Sequence, residues 1–205
     1  AQMAVPATLA VLAAAERRSR LAGVLAAVAV LTKPQAIFIL PILGLMVLGP
    51  AVERRWRALG QAAIAGLVVG AAALVPFVVA GTWPSFLRAV QRLGEHDLVS
   101  GTATNVWWIV TWAAGSAVRI GEIGVWQALS RPATMVRIST VVGWGLPNPR
   151  TMGTTLTILA IAWACWRARR GLTRSGGAQF AAWCVLAYFM LGGQVHENHA
   201  YLALP

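Results

Sequence analysis

Acidic side chains are scarce in this chain: one aspartate and five glutamates stand against sixteen arginines and a single lysine, Lys33. Charge of any kind is thin, at 11% of 205 residues, while 58% are hydrophobic. That balance belongs to an integral membrane protein rather than a soluble domain. Cysteine is nearly absent too. Cys165 and Cys184 lie inside apolar runs beside Trp166 and Trp183, which excludes a disulfide framework and leaves them as small buried hydrophobes. No Gly-rich nucleotide loop and no Asp-x-Asp pair occur, which argues against direct use of a nucleotide sugar. An initiator methionine and a signal peptide are also lacking, and the chain stops inside an apparent helix, so a piece of a longer protein is expected. Arginine in place of lysine, with abundant alanine and glycine, is the composition of a bacterium with GC-rich DNA.

What is present is a succession of apolar runs separated by basic clusters. The net charge of +11 does not point to nucleic acid, because the arginines form no continuous face. Residues 4–15 form a short alanine-rich segment that ends at Glu16-Arg17-Arg18-Ser19-Arg20. Residues 21–31 and 36–48 are apolar halves interrupted by Thr32-Lys33-Pro34-Gln35. Each half is too short for the roughly 20 residues a bilayer requires, and a lysine in mid-span would be expensive, so two short helices meeting at a polar corner are expected. Residues 58–80 are a full-length span, 151–166 a second and 179–191 the last. Between them, residues 84–93 set Phe86, Val90 and Leu93 against Arg88 and Arg92, the pattern of an interfacial helix. Residues 105–112 predict a short aromatic helix, and 113–137 a loop with short amphipathic pieces.

The clusters at 17–20, 54–57 and 167–174 hold ten of the seventeen cationic residues and by the positive-inside rule are cytoplasmic. Parity then puts the Lys33 corner, most of residues 81–150 and the stretch Gln194–His199 outside. The expected fold is therefore all-α: a polytopic membrane helix bundle with short broken or re-entrant helices and an extracytoplasmic interfacial segment. It forms one transmembrane domain over 1–205, with membrane helices in 1–81, a largely extracytoplasmic or interfacial segment in 82–150, and membrane helices with a His-Glu motif in 151–205. The expected location is the plasma membrane, multi-pass, with the active face extracytoplasmic.

Three polar groups converge on that face. In Val195-His196-Glu197-Asn198-His199 the two imidazoles are three apart, not the four of a zincin, and no third ligand is evident, so no metal is assigned. A hydrogen-bonded cluster capping a helix is the plain reading. The sharper one has imidazole donating to a phosphate and a carboxylate holding a sugar hydroxyl. Lys33 is either a snorkelling side chain or a cation for phosphate, with Gln35 beside it for hydroxyls. In Asn105-Val106-Trp107-Trp108 the indoles are either a membrane belt or a platform for sugar rings. Glu95 and Asp97, in an outside loop, are solvated carboxylates or weak candidates for a base.

Taken in order, Leu31-Thr32-Lys33-Pro34-Gln35-Ala36, Asn105-Val106-Trp107-Trp108 and Val195-His196-Glu197-Asn198-His199 resemble the bacterial branch of the GT-C glycosyltransferases. The likeness is nearest to the branch similar to the eukaryotic dolichyl-phosphate-glucose glucosyltransferases, where a Lys-Gln-type corner and a Val-His-Glu motif recur. The resemblance implies an enzyme moving mannose or glucose from a polyprenyl-phosphate donor to a lipid or glycan acceptor, with no cofactor and no nucleic-acid partner. His196 matches the family histidine near the donor phosphate; Glu197 lies beside it, and Lys33 is a second contact. His199, Gln35, Asn105, Trp107 and Trp108 complete the expected donor site. The family's catalytic acid, in a first extracytoplasmic loop, has no counterpart here; that loop is expected upstream of Ala1, and the fragment alone is expected to be inactive. A transporter is the main alternative, on the broken helix at Lys33-Pro34 and the intramembrane His/Glu group, and a membrane metalloprotease is a third.

Overall fold

A computed structural model describes residues 4–49, 55–92, 97, 99, 105–131, 137–143, 145–169 and 172–193. Every regular element among the described residues is helical. In chain order these are α1 (Ala4–Ala15), α2 (Ser19–Thr32), a 3-10 helix (Pro34–Ile39), α3 (Leu40–Leu48), α4 (Trp56–Val79), α5 (Trp83–Arg92), α6 (Val106–Ile123), α7 (Val125–Ser130), α8 (Ile138–Gly143), α9 (Pro149–Ala168) and α10 (Arg174–Leu191). The chain divides into two compact units. One holds residues 1–94, 160–186 and 200–205; the other holds 95–159 and 187–199. α9 and α10 each contribute a stretch to both.

In the first unit the core is built from small side chains. Ala10, Ala22, Ala26 and Ala29 are buried with Ile39, Ile42, Leu43, Ala164 and Cys184. Small residues let backbones approach, and α2 and α4 take this to the limit: a Cβ built on Gly23 would stand 2.0 Å from the Ala62 carbonyl oxygen. A Cβ built on Gly66, one turn beyond Ala62, would stand 3.0 Å from the Gly23 carbonyl oxygen. Stripes of small residues at four-residue spacing, Ser19-Gly23 on α2 and Ala58-Ala62-Gly66 on α4, leave room for this close approach.

The turn from α1 to α2 closes with Arg17 in the left-handed region (φ 60°), its N–H donating to Ala14 and that of Arg18 to Ala13. This is the Schellman arrangement, with arginine where glycine is usual. The next break falls at Lys33, the residue the sequence marks for it. Its backbone is extended (φ −151°, ψ 115°), as a residue before proline must be, and the chain re-enters as the 3-10 helix. Pro41 in the first turn of α3 fits a helix start.

α4 is, among the described residues, the one helix long and apolar enough to cross a membrane; α1, α2, residues 34–48 and residues 175–191 are shorter apolar helices. Ile64, Leu67, Val68, Val75, Val78 and Val79 stand exposed along α4. At its far end the chain turns through Gly81 (φ 66°) into α5, whose Phe86 ring packs on Phe77 at 4.8 Å and stacks with Trp83 at 5.4 Å. A helix is thus present where the sequence pattern predicts an interfacial one, starting one residue earlier.

The second unit corrects the reading of residues 113–137. The aromatic helix does not stop at Trp112 but continues as α6 to Ile123, and Gly124 (φ 80°) both ends it and opens α7. The physical reason is that the polar residues in this stretch face a partner. Ser116 is buried against the backbone of α7, donating to the Ala128 carbonyl at 3.4 Å, with Arg119 reaching the same oxygen at 3.5 Å. A small core of Val99, Trp107, Ile138 and Val141 completes this unit.

Candidate functional site

Asn105 stands at the N-cap of α6 in extended conformation, and its side-chain oxygen accepts from the Trp108 N–H at 3.1 Å. That bond satisfies one of the donors a helix start leaves open. The amide nitrogen of the same side chain donates to two carbonyls at the end of α10, Phe189 at 3.0 Å and Gly192 at 3.2 Å. Trp107, the second residue of α6, donates its indole N–H to the Leu191 carbonyl between them. The last carbonyls of a helix have no partner within it. Here side-chain donors from the Asn-Val-Trp-Trp motif take three acceptors in this terminal stretch.

Gly153 on α9 closes the arrangement. A Cβ there would lie 2.7 Å from the Gly193 nitrogen, 2.7 Å from the Leu191 carbonyl oxygen and 3.0 Å from the Trp107 indole nitrogen. Only a residue without a side chain fits. The backbone from Phe189 to Gly193 is therefore held on two sides, just before the stretch that carries His196, Glu197 and His199. Those three, with Glu95, lie outside the described residues, as does His96.

These contacts change what Asn105 and Trp107 can do. Both are buried, at 1% and 5% exposure, and their polar atoms are engaged with backbone. In this structure both hold the end of α10 through these bonds. Trp108, at 38%, keeps an exposed ring.

Asp97 is exposed, and it too is engaged. One oxygen accepts from the Ser139 N–H at 3.1 Å and the other from the Ser139 hydroxyl at 2.6 Å, so the carboxylate caps the first turn of α8. The Ser139 hydroxyl, then its backbone N–H, with a smaller contribution from the Arg137 charge, hold the carboxyl below its usual range. The structure gives Asp97 the role of a cap on α8.

In the first unit Lys33 is 9% exposed at the break between α2 and the 3-10 helix, and Gln35 lies two residues on with its side-chain carbonyl oxygen buried and without a hydrogen-bond partner. A buried cation and an open acceptor at a helix break are the materials of a polar site. Among the described residues no three His, Cys, Asp or Glu side chains gather closely enough to hold a metal.

Sequence reasoning missed Gly153 and Ser139, and the holding role of Asn105. An asparagine directly before an apolar helix is a capping signal, so part of the last was visible. Its second task, across 84 residues of sequence, was not. No family model, no curated protein and no solved structure matches the chain.

Proposed function

We propose that the chain is the membrane part of a polytopic glycosyltransferase of the GT-C type, moving mannose or glucose from a polyprenyl-phosphate donor to a lipid or glycan acceptor outside the cytoplasm. The observation that carries this reading is the set of hydrogen bonds from Asn105 and Trp107 to the end of α10, because it ties one of the three motifs on which the resemblance rests to the helix end that precedes another in sequence. A side-chain imidazole that meets a phosphate must start from a fixed backbone, and this is a way to fix one.

Transfer breaks the bond between the sugar and the phosphate oxygen, so negative charge grows on the departing phosphate. His196 and Lys33 are suited to receive it as hydrogen-bond donor and cation, and Glu197 to orient the histidine or hold a sugar hydroxyl. The acceptor hydroxyl loses its proton to a carboxylate as its oxygen bonds to the sugar carbon that the phosphate leaves.

The test is sugar transfer in membranes of cells expressing the gene, with labelled polyprenyl-phosphate mannose and glucose offered separately. Transfer that is lost in His196→Ala, at normal protein level, supports the reading and names the sugar. The helix break at a buried lysine also suits a transporter; transfer from neither donor, with solute uptake by the same membranes, would replace the first reading with that one.

A further inference from the structure

We propose that α5 is a surface anchor, with Trp83, Phe86, Leu87 and Val90 set into the edge of the hydrocarbon and the Arg88 face bound to anionic phospholipid headgroups. The proposal rests on reading α4 as a membrane span, and its test separates the two.

The geometry is that of a two-sided rod. Positions 83, 86, 87 and 90 follow the three- and four-residue spacing of one helical face. Phe86 is half-buried against Phe77 near the end of α4, with Trp83, also half-buried, stacked on it, which fixes the direction in which that face points. Leu87 and Val90 continue the same stripe but stand 42% and 47% exposed. Two large aliphatic side chains left in water beside a tryptophan are unfavourable by about 25 cal/mol for each Å². An acyl-chain boundary removes that penalty, and tryptophan is at home there.

On the other face Ser85 and Arg88 are exposed, the guanidinium donating to the Ser85 hydroxyl at 3.0 Å. That bond engages one of five N–H donors and leaves the planar fork for phosphate oxygens. No acidic residue occurs anywhere from Trp83 to Arg92, while Arg88 and Arg92 both do. The charge therefore favours anionic over zwitterionic lipid. α5 also begins four residues after α4 ends, through a turn at Gly81 and Thr82, so it starts where a span would leave the bilayer.

The test uses the whole chain, with Cys165 and Cys184 replaced by alanine, in phosphatidylcholine vesicles containing a minority of phosphatidylglycerol. A fluorescent label is placed singly by Val90→Cys, Ser85→Cys or Leu67→Cys. Expected is quenching of the Val90 label by a nitroxide high on the lipid chain, and of the Ser85 label by aqueous iodide. The Val90 label is expected to be quenched more by nitroxide-bearing phosphatidylglycerol than by the phosphatidylcholine analogue, by up to about five-fold for one arginine, with Arg88→Gln bringing the ratio towards unity. Equal quenching by the two lipids overturns the headgroup preference. Iodide access to Val90 with lipid quenching of Leu67 on α4 overturns the anchor and leaves the span standing; lipid quenching of neither label overturns both.

Discussion

Replacing Gly23 by alanine adds one carbon where the structure has room for none. The new Cβ would lie 2.0 Å from the Ala62 carbonyl oxygen, 2.7 Å from its carbon and 2.9 Å from its Cα. All three atoms are backbone, so no rotamer change relieves the contact, and α2 and α4 must part by roughly 1 Å. Overpacking of this kind destabilises by about 1–3 kcal/mol, against a gain of about 1 kcal/mol from alanine's better helix propensity. Gly66, whose Cβ would meet the Gly23 oxygen at 3.0 Å, needs a shift of only a few tenths of an ångström. Gly70, one turn further along α4, has nothing within 4 Å and should simply gain. The expected order of stability is Gly70→Ala above Gly66→Ala above Gly23→Ala, with about 1–3 kcal/mol between the ends. Thermal unfolding of the purified protein in mild detergent, with all variants at one scan rate, measures it. Gly23→Ala unfolding at or above the temperature of Gly70→Ala would refute the close crossing of these two helices.

Gly153→Ala should act on the other close approach: sugar transfer falls while the amount of folded protein changes little, and equal loss of both would reduce the residue to packing. Trp107→Phe keeps an aromatic ring but removes the indole N–H and part of the buried ring, leaving the Leu191 carbonyl unmet at an expected loss of about 1–3 kcal/mol, read from unfolding of the same detergent preparation. Arg17→Gly should stabilise by roughly 1 kcal/mol, since arginine bears a left-handed strain there that glycine does not. Asp97 has a folded pKa below its ordinary 3.8, so its contribution is present above that value and is lost as pH falls through the lower folded one. Asp97→Ala should therefore be less stable than the parent near neutral pH and indistinguishable from it in strong acid; a gap that persists in acid would show the cap acting through something other than charge.

The breaks were the most legible part of the fold. Lys33-Pro34 carries its conformation in two residues, because proline restricts the one before it. The apolar span of α4 and the two-faced pattern of α5 were equally readable, since both are local periodicities. Residues 113–123 were not: Gly115, Ser116, Arg119 and Gly121 look like loop chemistry, and only the packing of Ser116 and Arg119 on the Ala128 carbonyl makes them helical. The candidate site shows the same division. Asn105 and Trp107 were singled out rightly as unusual, but their contacts are with Phe189, Leu191 and Gly192, and no spacing rule reaches so far along a chain.

The unequal lengths of α2 and α4 bear on the bilayer itself. At 1.5 Å per residue the 24 residues of α4 extend about 36 Å, enough for a hydrocarbon layer of about 30 Å with some tilt. Its close neighbour α2 has 14 residues, about 21 Å, and ends at Lys33. On the proposed reading of α4 and α2 as membrane helices, a bilayer matched to the first would be too thick for the second, and lipids beside the shorter helix would meet the mismatch by compressing. Thinning on that side would bring phosphates down towards the level of the lysine. A long-chain lipid phosphate could then reach a buried ammonium sideways from the bilayer, with little of its charge ever crossing apolar carbon.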